Sequence, residues 1–197
     1  PTTATIMFGH VGHPRHGARH LIRIRDLQRR TGGFTEFVPL PFVHMEAPMA
    51  LRGRTRKGPT FREVRLMHAV ARLVLHPHIP NIQLSWVKLG PAGAHIVLDG
   101  GVNDLGGTLM DESISRAAGT RHGQEMPPEA MEDLIRSAGR TPRQRTTLYG
   151  PVDAATHARG RGAAPLAPLV LTAPRKSENN RRPPAEQVRK ESVCHAE

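Results

Sequence analysis

The sequence predicts an α/β fold of four βα units, half of an eight-stranded (β/α)8 barrel, with a disordered C-terminal tail. Short apolar, β-branched runs alternate with amphipathic helical stretches, the pattern of parallel strands joined by crossover helices. Gly and Pro fall between these runs as stops and starts. From Pro151 to Glu197 there is no Phe, Tyr or Trp, and Pro, Arg, Ala and Glu dominate. Such a segment buries too little apolar surface to offset its ordering entropy. Residues 1–150 are therefore expected to fold and 151–197 to be disordered, with local docking possible only for Pro168–Leu171.

The elements follow in order. Residues 3–8, Thr-Ala-Thr-Ile-Met-Phe closed by Gly9, read as a buried strand. Residues 15–30 read as a helix with Ala18, Leu21, Ile22 and Leu27 toward one side, stopped at Gly32-Gly33. Residues 34–38 give a second strand. A loop rich in proline and arginine then runs from 39 to 60. Residues 61–75 carry Val64, Met67, Ala71 and Val74 at helical spacing, and His76-Pro77 ends that helix. A third strand is expected over 81–87, a short helix over 92–98 and a fourth strand over 102–105. Pro127-Pro128 opens a last helix through Ala138, with Gly139 at the C-terminal cap position. Residues 145–149 read as a final short extended piece. In a parallel barrel, chemistry sits at the C-terminal ends of the strands. The places to search are thus His10, the 39–46 loop, 86–88 and 104–116.

Composition narrows the function. A chain of 197 residues fits one domain of ordinary size. Its net charge of +11 invites a nucleic-acid partner, but neither a recognition module nor interleaved aromatics accompany the charge, so that partner is disfavoured. No run of 18 or more apolar residues occurs, which speaks against a helical membrane span. No charged-then-apolar leader opens the sequence, and a cytoplasmic protein is expected. One cysteine, Cys194, provides no disulfide framework. His10, His13, His16 and His20 are close in sequence, but Pro14 interrupts them and no acid or thiol completes a set, so no metal site is expected.

The segments after the strands are polar and specific: Phe8-Gly9-His10-Val11; Pro39-Leu40-Pro41-Phe42-Val43-His44-Met45-Glu46; Asn81–Gly90; and Asn103-Asp104-Leu105-Gly106-Gly107-Thr108 continuing through Asp111-Glu112-Ser113-Ile114-Ser115-Arg116. With Gly32-Gly33-Phe34 and the closing Arg143-Gln144-Arg145-Thr146-Thr147-Leu148-Tyr149, they make residues 2–150 resemble the tyrosine-using subunit of FO synthase, a radical S-adenosylmethionine (radical SAM) family. The resemblance implies the second half of a radical SAM TIM-type barrel. It implies an enzyme that joins the 4-hydroxybenzyl group of tyrosine to 5-amino-6-(D-ribitylamino)uracil in deazaflavin (FO) coenzyme biosynthesis. It implies S-adenosylmethionine and a [4Fe–4S] cluster as cofactors. The cluster cysteines of the family lie before the matched region, so this chain reads as an inactive fragment whose partner is the missing N-terminal barrel half or a fused FO synthase subunit. Open barrel faces and edges would then favour aggregation. Where the family carries an acid two positions after Gly9-His10, this sequence has Gly12.

Substrate or SAM-binding roles are expected for nine residues, and no catalytic residue is assigned. His10 stands at a strand end, suited to S-adenosylmethionine or substrate. Glu46 and Lys88 offer opposite charges to an amino acid. Gln83, Asn103 and Asp104 suit the donors and acceptors of the aminouracil. Trp86 offers a ring for stacking. Glu112 and Arg116 either contact substrate or pair with each other one helical turn apart. Each residue alone has a structural alternative, because half-buried polar groups also brace barrels. The rival functions are a related futalosine-pathway (menaquinone) radical SAM enzyme and a non-catalytic basic half-barrel binding protein.

Overall fold

The computed structural model describes residues 1–109 and 111–164. The Pro168–Leu171 run, Cys194 and the rest of the expected tail lie outside the described residues. Strand β1 (Thr2–Phe8) pairs in parallel with β2 (Phe34–Pro41), Ala4 opposite Phe37 and Phe8 opposite Pro41. Helix α1 (Pro14–Thr31) makes the crossover, and Gly32, at φ 61°, caps it by donating to Gln28 O. Its inward stripe is Leu21, Ile24 and Gln28, whereas Ile22 and Leu27 are exposed. This corrects the expected face: inward positions recur three and four residues apart, and polar Gln28 belongs among them. The Gln28 amide accepts from Phe34 N and donates to Phe34 O and His78 O, so its burial leaves no bond unmade.

Strand β2 runs three residues beyond the expected strand end, through Pro39 and Pro41. Phe37 directs its N–H to Asn81 O and accepts from Gln83 N. Residues 39 and 41 face that same side, beyond the last bond to the third segment, where a missing N–H costs nothing.

The third and fourth strands shrink to isolated parallel bridges, Phe37 with Ile82 and Gln83 with Asp104. Helix α2 (Pro48–Leu51) and α3 (Phe61–Leu75) come between β2 and these bridges. A capping box starts α3: Thr60 Oγ1 accepts from Glu63 N, and the Glu63 carboxylate accepts from Thr60 N. Helix α4 (Trp86–Leu98) begins where the strand was expected to continue and is kinked at Gly90, φ 69°. A Cβ at Gly90 would lie 2.4 Å from the His122 ring, so only glycine lets the 119–126 loop close over the helix start. The one-turn helix α5 (Ile114–Ala117) and the longer α6 (Pro128–Ser137) follow, the latter ending before Gly139 at φ 68° as expected.

Residues 145–149 form a turn, not an extended piece. It is closed by an antiparallel bridge between Arg145 and Pro151 and by Thr146 N donating to Gly150 O. Helix α7 (Ala154–Gly162) lies in the segment expected to be disordered. Asp153 caps it by accepting from Thr156 N, and Arg161 pairs with Glu132 and Glu129 around α6, which gives this apolar-poor stretch its contacts.

Helices α1 and α3 cover one face of the sheet, over Ala4, Phe8, Phe37 and Ile82. The other face carries the alternate side chains: Thr3 opposite Glu36, Thr5 opposite Val38, and Gln83 opposite Asp104. Among the described residues, no helix is long and apolar enough to cross a membrane.

Candidate functional site

The second face of the sheet holds a polar network centred on Asp104, 9% exposed. Its Oδ2 accepts from Gln83 Nε2 at 2.9 Å, from Arg145 Nη2 at 2.6 Å and from the Tyr149 hydroxyl. Its Oδ1 accepts from Gly106 N at 2.9 Å. The Arg145 guanidinium also lies 4.0 Å from the centre of the Tyr149 ring. Burial opposes ionisation of Asp104, but the bonds from Arg145, Tyr149, Gln83 and Gly106 outweigh it and hold the carboxyl below its ordinary value. Burial together with the carboxylate it donates to raises the Tyr149 phenol, which stays protonated at neutral pH. Nearby, Thr3 donates its hydroxyl to Glu36. With four donors on two oxygens, Asp104 is engaged by the chain itself.

A second cluster forms where the strand-end loops meet. Lys88, in the first turn of α4, donates from Nζ to Ser115 Oγ at 2.9 Å. Ser115 N donates to Glu112 Oε1 at 2.9 Å, and Glu112 Oε2 is buried with no partner. Burial lowers the Lys88 pKa, with the Glu112 charge acting in the opposite sense. The alternative of a Glu112–Arg116 pair does not form: Arg116 donates to Gln124 Oε1, and Glu112 turns to Ser115. Glu46 comes to this end of the fold, with its N–H donating to Ala118 O. His10 packs its ring 5.7 Å from that of Phe42 and leaves Nδ1 buried without a partner. The basic loop folds back over His10, Arg56 donating to Gly9 O and His10 O.

Two expected residues are committed elsewhere. Trp86 is 4% exposed and donates from its indole to Gly107 O at 3.0 Å, so its ring is core and not an open stacking surface. Asn103 Oδ1 accepts from Arg72 Nη2 and Ile82 N, tying α3 to the third segment. The histidines after β1 are likewise local: His13 and His16 cap α1, and His20 bonds Thr5 O.

Reading the sequence assigns no role to Arg145, Tyr149 or Ser115. The one signal for them is that Tyr149 is the only tyrosine of the chain and sits close to Arg145 in a closing motif. As for the implied cluster, a [4Fe–4S] centre is held by several Cys thiolates. This chain has one cysteine, so its own residues do not fit that group.

Known proteins resemble this chain over most of its length. The family model described as CofH/MqnC C-terminal region matches residues 31–158. The chain is 56% identical over 152 residues to a 5-amino-6-(D-ribitylamino)uracil–L-tyrosine 4-hydroxyphenyl transferase of Methanopyrus kandleri, covering 77% of this chain and 41% of that protein. It is 56% identical over 151 residues to an FO synthase of Streptomyces coelicolor, 77% of this chain and 17% of that protein. An FO synthase of Nocardia farcinica is 51% identical over 168 residues, 85% of this chain and 19% of that protein. The chain thus spans less than half the length of these relatives. The matched span includes Glu36, Lys88, Asp104, Glu112, Ser115, Arg145 and Tyr149, and on it the chain belongs to the CofH/MqnC C-terminal region family.

Proposed function

We propose that this chain is the C-terminal part of an enzyme that joins the 4-hydroxybenzyl group of tyrosine to 5-amino-6-(D-ribitylamino)uracil. The observation that supports it is the 56% identity to a relative named for that transfer. On this reading residues 1–150 are the second half of a radical SAM barrel. The four parallel extended segments in chain order, β1, β2, Ile82-Gln83 and Asp104, agree with that reading. S-adenosylmethionine and the cluster thiolates are then supplied with the remainder of the whole protein, which is also the partner this segment requires. The cluster's chemistry belongs to that remainder, because this chain has no thiolate set for it.

The roles of the chain's residues divide by location. His10, Glu46, Lys88, Glu112 and Arg116 stand at the strand-end side, where a barrel binds its substrates. Gln83 and Asp104 stand on the second face with Arg145 and Tyr149, and fix the shape of the floor beneath that side. The test is a chimera in which residues 1–158 replace the matched segment of the Methanopyrus kandleri transferase. Formation of the coupled product from tyrosine and the aminouracil is expected. A folded chimera with a full cluster complement and no coupled product, beside an active parent, overturns the reading.

A further inference from the structure

Lys88 and Glu112 carry opposite charges on either side of Ser115, which is 3% exposed. Each spends one bond on it: Lys88 Nζ donates to the Ser115 hydroxyl oxygen, and Glu112 Oε1 accepts from the Ser115 N–H, both at 2.9 Å. Among the described residues no ion pair joins the two to each other. What remains is unfilled on both sides. An ammonium has three donors, and Lys88 uses one. Glu112 Oε2 is buried with nothing donating to it. The Ser115 hydroxyl accepts from Lys88 and keeps its own proton free to donate. Buried polar groups in folded proteins have partners, and a carboxylate oxygen left without one marks a place for a donor.

The missing partners are complementary in charge: an anion for Lys88 and the Ser115 hydroxyl, a cation for Glu112. One small molecule supplies both from a single carbon, the zwitterion of an α-amino acid. We propose that Lys88, Ser115 and Glu112 form a receptor for an amino acid main chain, Lys88 and Ser115 taking the carboxylate and Glu112 the ammonium. The proposal rests on the function proposed for the whole enzyme and assigns the main-chain subsite of tyrosine. It moves the acidic half of the site from Glu46, whose N–H borders this region, to Glu112.

The experiment measures binding of L-tyrosine, tyramine and 3-(4-hydroxyphenyl)propanoate to the full 197-residue chain by ligand-observed NMR and calorimetry. L-Tyrosine is expected to bind about ten-fold or more tighter than either truncated analogue, the difference made by one charged contact. Lys88→Met is expected to erase the preference over tyramine, and Glu112→Gln the preference over the propanoate. Lys88→Arg, which keeps the charge, retains part of it. No measurable tyrosine binding, or tyrosine bound no better than both analogues by the wild-type chain, overturns the proposal, and neither result depends on a variant folding. L-Leucine binding as tightly as L-tyrosine, with the same dependence on Lys88 and Glu112, supports the receptor while removing the tyrosine reading. An active chimera whose KM for tyrosine is unmoved by both substitutions does the reverse.

Discussion

Replacing Asp104 by asparagine keeps the shape of the side chain and removes its charge. The cost follows from what surrounds it. Asp104 is buried, and its Oδ2 is paired with Arg145, whose side chain is 27% exposed. Breaking a buried pair by removing one partner costs about 3–5 kcal/mol, because the other charge is left uncompensated. Arg145 retains some contact with water, which brings the cost to or just below the bottom of that range, about 2–3 kcal/mol. An Asn amide placed toward Arg145 and Tyr149 would also set donor against donor. At about 2–4 °C per kcal/mol for a chain of this size, the melting temperature should fall by about 5–10 °C. The acid limb gives an independent reading. The Asp104 pKa is lowered in the fold, so across the window between the folded value and the ordinary one, about 3.9, the unfolded state binds more protons. Its contribution is therefore complete above the ordinary carboxylate value and lost as pH falls through the folded value. Urea unfolding between neutral and acid pH should show this loss in the wild type and a flatter limb in Asp104→Asn. A loss under about 0.5 kcal/mol with an unchanged acid limb would refute the network as a source of stability.

Three further outcomes are expected. His68 is fully buried, its Nδ1 bonded to Val64 O and its Nε2 unpartnered; burial lowers its pKa, so as pH drops below about 6.5 the unfolded chain takes a proton the fold resists. His68→Leu should abolish that loss of stability between pH 7 and 5 in urea midpoints, and an equal slope in both proteins would count against the explanation. Gly9 has φ 87°, and a Cβ there would meet Pro59 at 2.3 Å. Gly9→Ala should cost about 2 kcal/mol or more in denaturant unfolding, against less than about 0.5 for Gly12→Ala, where nothing lies within reach. Trp86→Phe removes the donor to Gly107 O and should cost about 1–2 kcal/mol while leaving tyrosine binding unchanged; a ten-fold weaker ligand at unchanged stability would restore a stacking role.

Local signals carried much of the architecture into the sequence. The α3 boundaries follow from Thr60, Glu63 and His76-Pro77, because a capping box and a following proline act within one turn of chain. Gly32 and Gly139 mark helix ends for the same reason. The motifs after the strands named the family, and the rule that loops after parallel strands build sites directed attention to His10, Glu46, Lys88, Glu112 and Arg116.

Other features depended on which distant groups meet. Asn81–Val87 has the composition of a strand, yet pairing stops at Gln83 and a helix begins at Trp86, because the 119–126 loop packs His122 on Gly90 and Gly123 on Trp86 and Val87 and holds the chain there. Asp104 reads as a free carboxylate until Arg145 and Tyr149, some forty residues later, are seen to fill it. Lys88 gains its setting from Ser115 and Glu112 only through the loop that returns them. The sequence by itself determined the order of elements, the caps and the family, all of which rest on neighbours along the chain. Tertiary structure alone decided which polar groups are satisfied by the fold and which are left without a partner, since a side chain's bonds are set by what the packed chain brings within about 3 Å of it.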